Sequence, residues 1–116
     1  MSEFCRAILN LDEEIRSVMI VDRSGSIECI AAQKVVEVPQ DLLRQFGGTW
    51  SAVAGGVFLQ LSQYLGTFEY AILYYEKVVL LAINVCRKYV ITSMLKEPSR
   101  ELIEKIKDIY AKKCSQ

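Results

Sequence analysis

Histidine is absent from this chain of 116 residues, and proline occurs only twice. Without histidine the commonest general base is missing, and so is a frequent zinc ligand. No C-x-x-C pair is present either. Cys5, Cys29, Cys86 and Cys114 are scattered along the chain, so no metal centre is expected. Charge of one sign is also lacking: Lys plus Arg and Asp plus Glu both number 14, for a formal net charge of zero. Neutralising phosphates needs a surplus of cations on one face, so nucleic acid is not expected as the main partner. Gln, Glu, Lys or Arg interrupts every apolar run well short of a membrane span, and no membrane insertion is expected. No signal-peptide pattern precedes the first helical segment, which makes the cytoplasm the expected compartment.

What remains is a globular composition, 52% hydrophobic and 24% charged, in a length that suits a single domain over residues 1–116. Cys5, Cys29 and Cys86 each lie among apolar neighbours. In a reducing cytoplasm such cysteines serve as small core residues; disulfides are the alternative.

The densest apolar stretch is FEYAILYYEKVVLLAINVCRKYVITSML, Phe68 to Leu95. It contains neither Gly nor Pro, and its β-branched and aromatic runs Phe68–Tyr75, Val78–Val85 and Tyr89–Leu95 read as adjacent strands. Upstream, Phe4, Ile8, Leu11 and Ile15 recur at helical spacing and run into the acidic cluster Asp12-Glu13-Glu14. Ile15–Asp22 reads as a central strand, apolar on both faces, and Ile27–Ala32 as its hairpin partner at an edge, with Gly25 serving the turn. Gln33–Val38 is either an extended continuation or a loop crossing.

After Pro39, residues Leu42 to Leu65 follow a helical period and stop at Gly66. Phe46, Trp50, Val53, Ala54, Val57, Leu61 and Tyr64 form a large apolar side, expected to cover a sheet. The opposite side carries Gly48, Ala52, Gly55, Leu59, Ser62 and Gln63, small enough for a second helix to approach closely. The helical glycines Gly47, Gly48, Gly55 and Gly56 each cost roughly 0.8–1 kcal/mol against alanine, so compensating packing is expected. A last helix starts at Pro98 and buries Leu102, Ile103, Ile106, Ile109 and Tyr110.

The element order α-β-β-α-β-β-β-α, the hairpin IRSVMIVDRSGSIECIAA and the long helix before a three-strand meander resemble the roadblock / dynein light chain family, within the longin-like and profilin-like fold group. The resemblance spans nearly the whole chain and rests on pattern, with no single diagnostic motif. It implies an α+β fold: a five-stranded antiparallel sheet with the long helix on one face and the two terminal helices on the other. It also implies a homodimer, in which the strand after the long helix pairs with its copy and the long helices pack across the axis. The interface candidates on this chain are then Gly48, Ala52, Gly55, Leu59 and Ser62 from the helix, and Phe68, Tyr70, Ile72 and Tyr74 from the strand. Members of the family bind or regulate Ras-like small GTPases or serve as scaffold subunits, and no cofactor is implied.

No catalytic, cofactor or metal site is assigned from the residues. Gly47-Gly48 and Gly55-Gly56 do not follow a strand at phosphate-cradling spacing. Cys86, next to Arg87-Lys88, is the one candidate for a reactive thiol, since adjacent cations lower a thiol's pKa. A second functional reading is a small-molecule-sensing domain, with a pocket between sheet and long helix for which Phe46, Trp50 and Phe58 are the lining candidates; core packing is the preferred role of Phe46 and Trp50.

Overall fold

The computed structural model describes residues 2–33 and 38–114, so the middle of the ambiguous Gln33–Val38 connection lies outside the described residues. The elements are α1 (Ser2–Leu9), β1 (Ile15–Asp22), β2 (Ile27–Ala32), α2 (Gln40–Val53), a π-helical turn (Ala54–Phe58), α3 (Leu59–Leu65), β3 (Tyr70–Tyr74), β4 (Val79–Val85), β5 (Lys88–Met94) and α4 (Arg100–Cys114). All five strands form one antiparallel sheet in the order β2-β1-β5-β4-β3. The α+β architecture and the element order are those expected, with β2 and β3 at the two edges.

Alternation along each strand sends residues to opposite faces and builds two cores. Val18, Ile20, Leu81, Ile83 and Val90 meet Cys5 and Ile8 of α1 and Ile103, Ile106 and Tyr110 of α4. Met19, Val21, Ala82, Tyr89 and Ile91 meet Trp50 and Ala54 of the long helix. The terminal helices therefore cover one face and α2 with its extension covers the other. Ser99 starts α4 by accepting the Leu102 amide at 3.1 Å, and Lys105 pairs with Glu101 one turn away at 3.6 Å.

The β1–β2 turn is built around one carboxylate. Asp22 Oδ1 accepts the amides of Ser24 (2.9 Å) and Ser26 (3.0 Å) and the Ser24 hydroxyl (2.6 Å). These bonds, the Ser24 hydroxyl foremost, hold its pKa below the ordinary carboxylate value. Gly25 adopts φ +91°. A Cβ on it would lie 2.8 Å from the Gly48 Cα, while one on Gly47 would meet a Val21 methyl at 3.4 Å. The Gly47-Gly48 pair in α2 is thus partly repaid within the chain, by letting this turn dock on the helix.

The β4–β5 connection is tighter. Cys86 and Arg87 both lie in the left-handed region, at φ 56° and 62°. Two-residue hairpin turns with positive φ at both positions match the twist of the flanking strands, at a cost to residues other than glycine or asparagine.

The cysteines correct the expectation of reduced core thiols. Cys5 on α1 and Cys29 on β2 are joined in a disulfide, with Cα atoms 6.3 Å apart. Cys86 is also disulfide-bonded, which removes the reactive-thiol candidate. The cause is tertiary: α1 lies over β2 and brings together two cysteines 24 residues apart. Near the same end, Glu28 of β2 accepts from Lys88 Nζ at 2.7 Å and from the Tyr110 hydroxyl at 3.0 Å, tying β5 and α4 to the edge strand. Burial first, and this bond second, push the Tyr110 hydroxyl up to about 12.

Candidate functional site

The π turn decides which side of the long helix faces the sheet. One additional residue in a turn advances the helical phase by about 100°. The inward stripe therefore runs Trp50, Ala54, Phe58, at steps of four, instead of reaching Val57. Phe58 joins an aromatic cluster with Trp50 (ring centroids 5.9 Å) and Phe68 (5.0 Å), and Tyr89 stands edge-on to Trp50 at 6.4 Å.

This corrects the expected division of the helix into a large covered side and a small open one. Val53, Val57, Leu61 and Tyr64, expected against the sheet, are exposed, Val57 at 59% and Tyr64 at 83%. No residue of α3 is buried, and Leu65 at its end is 77% exposed. The last turns of the helix project past the sheet with their apolar side chains in solvent. The sequence signal was present in Gly55-Gly56, the pair inside the π turn, but a uniform helical period hid its effect on phase.

Beside this helix lies β3, which pairs with β4 on one side and forms the edge of the sheet on the other. Tyr70 and Ile72 are half-buried and pack toward the α1/α4 core, Phe68 and Ala71 toward the aromatic cluster. Tyr74 is exposed and donates its hydroxyl to Glu97, which raises its pKa.

The helical candidates separate. Ala52 and Leu59 are exposed on the outer surface, while Ser62 is half-buried and donates to the Phe58 carbonyl at 3.0 Å. Gly55 is exposed, and a Cβ there would come 3.8 Å from the Tyr89 hydroxyl, so it sits close to its own sheet. Gly48 lies against the β1–β2 turn, with open space where its own Cβ would be. Val57, Leu61 and Leu65, which the sequence did not offer as interface candidates, are exposed apolar residues at 59%, 46% and 77%.

A groove of about 760 Å³ lies under the first turns of α2, against the sheet. Phe46 lines it and also packs against the core under the long helix, Trp50 is a core residue, the role preferred for it, and Phe58 belongs to the aromatic cluster. Among the described residues there is no group of three or more Cys, Asp or Glu that could hold a metal ion. No helix among them is long and apolar enough to cross a membrane.

No family model matches the sequence, and no curated protein matches it. Solved structures do. A roadblock/LC7 domain from Streptomyces avermitilis superposes with a TM-score of 0.75 at 7% identity, covering 99% of this chain and 94% of that one. MglB of Myxococcus xanthus gives 0.70 at 20% identity, covering 98% and 94%. An MglB structure described as having a tetrameric arrangement gives 0.73 at 14% identity, covering 97% and 83%. At such identities the likeness is one of fold, and the fold of this chain is that of the roadblock/LC7 domains.

Proposed function

We propose that the protein is a non-enzymatic, dimeric interaction module that acts as a scaffold or regulator for a Ras-like small GTPase or a larger complex. The observation that carries this reading is the end of the long helix: no residue of α3 is buried, and Leu61, Tyr64 and Leu65 of α3, with Val57 of the π turn, stand in solvent near the open edge of β3. Exposed apolar surface of this kind marks an interaction site, and an unpaired edge is a template for another strand. In the proposed dimer β3 pairs with its copy along Tyr70–Tyr74, with Phe68 at the margin. The α3 segments pack across the axis with Leu59 and Ala52, and a twofold axis makes such an interface self-complementary. Gly48, Gly55 and Ser62 flank it. The zero net charge does little to oppose the association.

The likeness to an MglB structure described as having a tetrameric arrangement supports a homo-oligomer, and the resemblance to the roadblock family supports a GTPase-related partner. We read the module as recognising that partner by surface shape, without a cofactor, and assign no residue to GTP hydrolysis. We place it in the cytoplasm. A structural disulfide there requires a cytoplasm in which disulfides persist, as in hyperthermophiles.

The test is mass in solution. The wild type is expected at twice 13.2 kDa and a Val57→Glu variant at 13.2 kDa, since a charge on this exposed position leaves the monomer core untouched. A wild type that stays monomeric at high concentration sinks the dimer. The partner class is tested separately, by capturing GTPases from the source cell on the immobilised dimer. Recovery of none by an intact dimer removes the GTPase half of the reading.

A further inference from the structure

The groove under α2 has an apolar body and one polar end. Its floor is the sheet face that α2 leaves partly open: Ser17 and Met19 of β1, Ile91 and Ser93 of β5, and Leu80 of β4. Leu42, Leu43 and Phe46 of α2 overhang it. Leu42, Ile30, Val38 and Tyr75, all lining residues, are large hydrophobics left exposed, Leu42 at 53%. A volume of about 760 Å³ lies within the usual range for small-molecule sites.

The polar end comes from an irregularity in β1. Ile15 pairs with Met94 and Ser17 with Ser93, so Arg16 is an extra residue bulged out of the ladder. A bulge re-aims a side chain, and here it brings a guanidinium to the groove beside Ser17. Arg16 is the only charged residue among the described lining residues; no Asp or Glu is among them. Its side-chain hydrogen bond, to Gln33 Oε1, is long at 3.4 Å and uses one of five donors. Next to it the Ser17 and Ser93 hydroxyls bond to each other. A pair of hydroxyls so joined spends one hydrogen between them and keeps the other to donate. The end of the groove thus offers a cation and a hydroxyl donor, and its length offers hydrocarbon.

We infer that this groove binds an amphipathic monoanion, a carboxylate carried on an aliphatic chain. The carboxylate sits against Arg16 and the Ser17–Ser93 pair, and the chain lies between Leu80 and Ile91 below and Leu42 and Phe46 above. Charge complementarity selects the head group, because no carboxylate among the described lining residues opposes it. The head-group end at Arg16, Ser17 and Ser93 is separate from α3 and β3, so the effect of Arg16→Gln on binding is read apart from dimer mass.

Calorimetric titration with decanoate, and with decyltrimethylammonium as a cation of the same chain length, tests the inference. Decanoate is expected to bind the wild type saturably at one site per chain, with the cation weaker by about tenfold or more. Arg16→Gln should weaken decanoate by about tenfold or more at an unchanged thermal midpoint. Leu42→Glu, at an exposed rim position, should abolish binding without disturbing the core. Absence of saturable decanoate binding overturns the proposal. So does equal binding of the cation, or wild-type affinity in both folded variants.

Discussion

Replacing both Cys5 and Cys29 by alanine should lower stability by an amount that the chain itself sets. The bridge closes a sequence separation of 24 residues, and the entropy of restraining that loop in the unfolded chain amounts to about 3.5 kcal/mol near room temperature. Both side chains are embedded in the core, at 0% and 9% exposure, so removing the sulfurs adds roughly 1 kcal/mol of lost packing. For 116 residues the average unfolding entropy is roughly 0.24 kcal/mol/K, so a loss of about 4–5 kcal/mol lowers Tm by about 15–20 °C. Differential scanning calorimetry without reductant measures this directly. The double substitution leaves the disulfide at Cys86 in place, which assigns the loss to the Cys5–Cys29 bridge. A fall below about 5 °C would refute the reasoning, because a loop of this length cannot be released so cheaply if it was closed.

Gly25→Ala should destabilise by about 2–4 kcal/mol: a side chain at φ +91° is strained, and its Cβ would stand 2.8 Å from the Gly48 Cα. Urea unfolding checks it, and an unchanged midpoint would mean that the turn does not dock on α2. One tyrosine should titrate late in ultraviolet absorbance, near pH 12, and be lost from the late phase in Tyr110→Phe. Because its folded pKa is raised, its contribution to stability is complete below pH 10 and lost as pH rises through about 12.

The strands were legible because their pattern is local. Val18-Met19-Ile20-Val21 and Val79-Leu80-Leu81-Ala82 carry enough β-branched and apolar residues to mark interior strands, whereas the edge position of Tyr70–Tyr74 was implied by the family resemblance and not by its residues. The helix from Gln40 to Leu65 was legible as a helix but not as a surface. Its phase depends on an i→i+5 turn at Ala54–Phe58, and a single period carried through Gly55-Gly56 assigns Val57 and Leu61 to the wrong side. The disulfide was hidden for another reason: whether Cys5 meets Cys29 depends on where α1 crosses the sheet, which no local pattern encodes. The groove combines a bulge at Arg16 with walls from separate segments, and strand periodicity gives no sign of the bulge.

The cross-links have a mechanical consequence. Cys5, Cys29 and Cys86 all belong to the core between the sheet and α1/α4. On the opposite face, the described α2, π turn and α3 are held by packing and hydrogen bonds alone. The domain is therefore a laminate with one stiff side and one compliant side. Strain applied at the exposed helix or in the groove falls first on the layer that no described covalent bridge ties to the sheet, where the Ser51–Asp22 bond and the packing around Trp50 have to carry it.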